Sequence, residues 1–114
     1  MRVAVTGANG LLGGAAVAQL SGKHEVLALG RGPSRLSPGA FTWAGADLGD
    51  GRSVEAALRA FGAQAVLHAG AATDVDACER EPELAWRVNV GGTEQVARAC
   101  RALGARLEIG RAHV

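Results

Sequence analysis

The chain has 114 residues, of which 48% are hydrophobic and 20% charged, with a formal net charge of +1. That balance excludes a disordered charged tail, which needs low hydrophobicity and a large net charge, and it gives no field for nucleic acid, because 12 Lys+Arg are matched by 11 Asp+Glu. No stretch approaches the roughly 20 apolar residues of a membrane-spanning helix, and the apolar block around Val3-Ala4-Val5 is too short for a secretory signal, so a cytoplasmic setting with no membrane partner is expected.

In chain order, Arg2–Thr6 is a β-rich run stopped by Gly7 and Gly10. Leu12, Ala15, Ala16 and Leu20 then fall at helical spacing, and Ser21-Gly22 ends that helix. Glu25–Gly30 reads as a second strand, followed by a Gly/Pro/Ser loop from Arg31 to Gly39 and a short third strand at Phe41–Ala44. Ser53 is a plausible N-cap for a helix carrying Val54, Ala57, Leu58 and Phe61 on one face. Ala65–Ala69 is apolar almost throughout, as expected of a strand buried on both faces. From Pro82, a good first-turn residue, positions Leu84, Val88, Val96, Cys100 and Leu103 line one helical face, and a fifth strand is due at Arg106-Leu107. This alternation predicts an α/β fold, the N-terminal part of a Rossmann-type doubly wound parallel sheet with crossover helices. Cys78 and Cys100 are too few for a disulfide framework and read as small buried hydrophobes. The charges at Arg52, Arg59, Glu79, Glu81, Glu94, Arg98 and Arg101 read as solvated helix faces.

The most informative stretch is Thr6-Gly7-Ala8-Asn9-Gly10-Leu11-Leu12-Gly13, a G-x-x-G-x-x-G spacing between the first strand and the first helix. Gly7 lets the chain turn sharply out of the strand, Gly10 lets backbone approach a pyrophosphate, and Gly13 permits close helix–strand packing. Free N–H groups and the helix dipole then face an anion. A dinucleotide site that prefers NAD(H) places Asp or Glu at the end of the second strand. Here Leu29-Gly30-Arg31 stands there with Arg35 close behind, and a guanidinium suits a 2′-phosphate, so NADP(H) is expected ahead of NAD(H). Asp47, after the third strand, could accept from an adenine amino group, though Asp in a turn is common. Ala69-Gly70-Ala71 ends the fourth strand with three tiny side chains, and the switch-point rule places a ligand between strands one and four. His68 reads as a packed strand-end residue.

Together with Ala46-Asp47-Leu48, His68-Ala69-Gly70-Ala71-Ala72-Thr73-Asp74-Val75-Asp76, Cys78-Glu79 and Asn89-Val90-Gly91-Gly92-Thr93, the glycine loop resembles the extended short-chain dehydrogenases/reductases. Residues 71–83 are similar to the dTDP-4-dehydrorhamnose reductases within that group. The resemblance implies an oxidoreductase that reduces a 4-keto nucleotide sugar, in dTDP-rhamnose biosynthesis, with NADP(H) or NAD(H). Position by position it implies that Gly7, Asn9, Gly10, Leu11, Leu12 and Gly13 form the pyrophosphate loop and that Arg31 meets the adenosine ribose or its phosphate. It implies further that Asp47 and Leu48 flank adenine, that Ala71, Ala72 and Thr73, following the small Ala69 and Gly70, lie near the nicotinamide-side ribose, and that Asn89 supports the active-site water network. Ala72 departs from the aromatic residue or His that those reductases often carry. Asp74 and Asp76 have no nearby His or Cys and make a poor metal site, so no metal residue is assigned, although a Mg2+ ion serves some relatives at full length. A nucleotide-sugar substrate and a homodimer are expected of the full-length protein.

No catalytic residue is assigned. The family's chemistry uses a Tyr-x-x-x-Lys pair, in which the phenol shuttles a proton and the ammonium lowers its pKa; this chain has no Tyr, and Lys23 is its one lysine. Ile109-Gly110-Arg111-Ala112-His113-Val114 looks like one reading frame of a sequencing-library adapter. The expectation is therefore an NAD(P)-binding domain over residues 1–108, truncated, with a non-native tail at 109–114. Two other readings stay open: a non-catalytic NADP(H)-binding regulatory module, and an epimerase or dehydratase that holds NAD.

Overall fold

Strand β1 (Arg2–Thr6) is the axis of a parallel sheet whose order is β3-β2-β1-β4-β5. The computed structural model describes residues 1–48, 50–69 and 82–110, with residues 82–90 described as helical backbone alone. Along the chain, β1 leads into α1 (Leu11–Leu20), then β2 (Glu25–Gly30), β3 (Thr42–Gly45), α2 (Gly51–Phe61), β4 (Ala65–His68), α3 (Pro82–Leu103) and β5 (Arg106–Ile109). Every pairing is parallel: Val3 faces Val26 of β2 on one side and Ala65 of β4 on the other. Leu27 faces Thr42, and His68 faces Ile109. Parallel neighbours need crossovers, and the helices supply them.

The alternation of side chains along the strands divides the core in two. Ala4, Leu27, Leu29 and Val66 point to one face and pack with Val54 and Leu58 of α2 and Val96, Ala99 and Cys100 of α3. Val5, Val26 and Ala28 point to the other face and meet Val17 of α1, with Phe41, Trp43 and Leu67 at the margin. Burial on both faces explains why β1 and β2 read as unbroken apolar runs. The expected α/β architecture is present, with β5 running two residues beyond Leu107 and Gly110 N–H donating to His68 O at 3.0 Å. Residues 111–114 lie outside the described residues, as does Cys78, while Cys100 is buried as expected. Arg52, Arg59, Glu94, Arg98 and Arg101 are exposed, as solvated helix faces should be; Glu79 and Glu81 lie outside the described residues.

Three local expectations shift. The face of α1 on the sheet is Gly13, Ala16, Val17 and Leu20; Ala15 is exposed and Leu12 is 37% exposed. A side-chain count overlooks Gly13 because it has no side chain, and that lack is what lets the helix approach β1. The cap of α2 is Asp50 rather than Ser53. Asp50 has extended backbone, and its carboxylate accepts from Ser53 N–H at 3.3 Å, so Ser53 lies inside the first turn and the helix starts at Gly51. The third strand is displaced by one residue, because Phe41 packs against the α1-side core before ladder pairing begins at Thr42.

Candidate functional site

The strand order reverses between β1 and β4, which opens a crevice beyond their carboxyl ends. Gly7 leaves β1 with φ +63°, a conformation that disfavours any side chain. Ala8 N–H then bonds Leu29 O of β2 at 3.0 Å, and Gly10 N–H closes the turn on Gly7 O at 2.9 Å. A Cβ on Gly13 would strike Gly7 O and come within 2.7 Å of Gly7 C, so the helix sits on the loop backbone itself. One on Gly10 would lie 3.2 Å from Gly7 O.

Gly10 is the N-cap of α1 and supplies no side-chain cap, and the first turn carries no acid. The first N–H groups of a helix have no intrahelical partners, so those of Leu11, Leu12 and Gly13 end the helix as open donors at its positive pole. The Leu11 side chain is 93% exposed and stands clear of them. Glycine at the cap, no competing carboxylate and a backbone folded tight by Gly7 and Gly13 together suit a pyrophosphate.

On the β2 side, Asn9 spans the gap from the glycine loop to the loop after β2. Its amide donates to Pro33 O at 3.1 Å and Arg31 O at 3.4 Å, and its Oδ1 accepts from Arg35 N–H at 2.7 Å. Arg31 and Arg35 are exposed. Trp43 lies over Gly30, where a Cβ would come 2.5 Å from its ring, and the indole N–H donates to Gly32 O at 3.3 Å. Asp47 is exposed just past β3, and its carbonyl accepts from Asp50 N–H at 2.9 Å. Leu48 turns the other way: it is half-buried, packs on the α2–α3 core and lies against Gly92 of α3.

On the β4 side the construction uses side chains. Thr6 Oγ1 and His68 Nδ1 share a buried hydrogen bond of 2.7 Å, His68 Nε2 and Thr93 Oγ1 share one of 3.0 Å, and Ala69 N–H donates to Thr6 Oγ1 at 3.0 Å. Burial pushes the His68 imidazole below its ordinary pKa of 6.5, favouring the neutral ring. A neutral ring has one donor and one acceptor nitrogen, so one threonine hydroxyl donates to it and the other accepts. His68 is a packed strand-end residue, as expected. Thr6, Thr93 and Trp43 had no assigned role; a hydroxyl closing β1 beside a strand-end histidine was the available signal.

The structure therefore brings Gly7, Asn9, Gly10, Leu11, Leu12, Gly13, Arg31 and Ala69 to one end of the sheet, while Leu48 serves the core. Gly70, Ala71, Ala72 and Thr73 lie outside the described residues, and Asn89 falls in the part of α3 described as backbone alone. A cleft of about 340 Å³ lies between α2 and α3, bordered by Asp50, Arg52, Glu55, Gln95 and Arg98. It carries both signs of charge and no nucleophile–base pair. Among the described residues, no group of three or more His, Cys, Asp or Glu could hold a metal ion, and no helix is long and apolar enough to cross a membrane.

A glycine-hinged turn at the switch point of a parallel sheet defines a Rossmann-type fold. Comparison with known proteins narrows the class: residues 1–108 match the RmlD substrate binding domain, and the chain belongs to that family. It is 38% identical over 104 residues to a dTDP-4-dehydrorhamnose reductase of Streptomyces griseus, a match covering 90% of this chain and 30% of that protein. A methionine adenosyltransferase 2 subunit beta of Xenopus laevis is 33% identical over 93% of this chain and 30% of that protein. Among solved structures, a UDP-glucose 4-epimerase of Thermus thermophilus, in complex with NAD, superposes with a TM-score of 0.84 at 33% identity, over 94% of this chain and 36% of that one. The chain spans about a third of the length of the relatives it matches.

Proposed function

We propose that this chain is the cofactor-binding part of an NADP(H)-dependent reductase acting on a 4-keto nucleotide sugar of the dTDP-4-dehydrorhamnose type. The observation that carries the reading is the cradle from Gly7 to Gly13, because a helix start without acid or side-chain cap, folded against its own loop by two glycines, suits a dinucleotide pyrophosphate. The nicotinamide cofactor, when bound, supplies the hydride. The chain's own residues do the holding: amides of Leu11, Leu12 and Gly13 meet the phosphates, Arg31 and Arg35 face the adenosine end, and Asp47 borders adenine. Ala69 through Thr73 belong to the nicotinamide side, and Asn89 supports the active-site water network. With no Tyr among its 114 residues, the chain carries no proton donor of the Tyr-x-x-x-Lys kind, so residues 1–114 reduce no 4-keto sugar.

Arg31 supports NADP(H) over NAD(H). A charge-assisted hydrogen bond to a 2′-phosphate strengthens binding by about tenfold or more. Reversing the charge with Arg31→Asp should shift the NADPH/NADH affinity ratio toward NADH by at least that factor in a fluorescence titration. An unchanged ratio would remove the 2′-phosphate argument. A second reading, a non-catalytic nucleotide-binding module, is favoured by the similarity to a protein named as a subunit of another enzyme. Reduction of a 4-keto nucleotide sugar by the gene's complete product would decide for the first.

A further inference from the structure

We infer that Asn9 is the positioning residue that sets selectivity for a 2′-phosphorylated adenosine, by clamping the Arg31–Arg35 loop to the phosphate cradle. The inference rests on the dinucleotide reading above and adds a residue that the glycine pattern leaves undefined. Asn9 occupies one of the unconstrained positions between Gly7 and Gly10, yet its side chain makes three hydrogen bonds, all to backbone 22 to 26 residues away. Their polarity is self-consistent: the amide nitrogen, with two hydrogens, faces two carbonyls, and the amide oxygen faces an N–H.

The loop it holds is otherwise weakly anchored. Residues 31–35 are all exposed, Gly32 has φ +67°, and the segment has no ladder partner. Three of its carbonyls are nevertheless engaged in succession: Arg31 O and Pro33 O accept from Asn9, and Gly32 O accepts from the Trp43 indole. Asn9 and Trp43 also approach Gly30 together, since a Cβ there would meet the ring at 2.5 Å and Asn9 Nδ2 at 3.5 Å. With these carbonyls tied down, the loop is shaped before ligand arrives, and two exposed guanidiniums bracket the segment that Asn9 pins. A free arginine loop would have to be ordered by the ligand, and that ordering subtracts from affinity. Asn9 removes the penalty where the 2′-phosphate contributes its extra contacts, so it acts on discrimination through Arg31 and Arg35 without itself touching that phosphate.

The test titrates the 114-residue chain and Asn9→Ala with adenosine 2′,5′-bisphosphate and with 5′-AMP, read by NMR shift changes. The wild-type chain should prefer the bisphosphate by about tenfold. Asn9→Ala should weaken both ligands and cut that preference to about twofold, a readout that general loss of stability does not move. A preference kept at its wild-type value in folded Asn9→Ala would overturn the clamp and leave the dinucleotide reading standing. Binding of neither ligand by the wild-type chain would overturn both. Amide exchange in the wild type gives a check without a variant: Arg35 N–H should exchange slowly through its bond to Asn9, and exchange at the unstructured rate would equally sink the clamp.

Discussion

The two flanks of the β1 terminus are built from different materials. Toward β2, the site is backbone: a positive-φ Gly7, a Gly13 with no room for a methyl group, open helix amides, and one side chain, Asn9, reaching across. Toward β4, it is side chain: the Thr6 hydroxyl is bonded to His68 and to Ala69 N–H, and His68 continues to Thr93 on α3. The first flank leaves helix N–H donors without a side-chain cap. The second satisfies its own polar groups and ties three elements together. A backbone site tolerates no added volume, whereas a buried polar network tolerates no missing partner.

The largest effect should come from adding bulk on the first flank. Gly13→Val pushes side-chain carbon into Gly7 backbone, which cannot move without moving β1, and should destabilise the chain by about 3 kcal/mol or more in urea unfolding. A loss below about 1 kcal/mol would mean that α1 does not rest on the loop as described. The second flank should respond to a deletion at constant volume. Thr6→Val leaves Ala69 N–H and one His68 ring nitrogen without their partner and should cost about 2 kcal/mol. A neutral outcome would show the network to be incidental packing.

The smallest effect sharpens the contrast through pH. The folded-state pKa of His68 lies below 6.5 because burial penalises the imidazolium. Between the folded pKa and 6.5 the unfolded chain binds more protons than the folded one. Stability therefore falls as pH drops below about 6.5 and is level, for this group, above it. Melting temperatures between pH 7.5 and 5.5 should show that decline, and His68→Gln should flatten it. A decline of equal slope in the variant would assign it to other groups.

Much of the fold was legible because its signals are local. Apolar runs at Arg2–Thr6 and Glu25–Gly30 announce strands buried on both faces, and the glycine spacing announces a tight turn into a helix; the run at Ala65–His68 announces a strand too, but its Ala65 and Leu67 face is only half-buried. Local reading failed where local information was incomplete. Ser53 resembles a cap until Asp50, three residues earlier, is seen to accept from its N–H. Leu12 and Ala15 resemble a core stripe until the close seat of Gly13 turns α1 so that Ala16, Val17 and Leu20 face the sheet.

The sequence by itself determined the parallel α/β layering and the glycine turn into α1, since both follow from hydrophobic period and from the conformational freedom of glycine within a few consecutive residues. The tertiary structure alone decided which polar side chains meet. Thr6 and His68 stand 62 positions apart, His68 and Thr93 25, and Asn9 and Arg35 26. A hydrogen bond acts over about 3 Å and carries no trace along the chain. Such pairs exist only once strand order and register have brought their elements side by side.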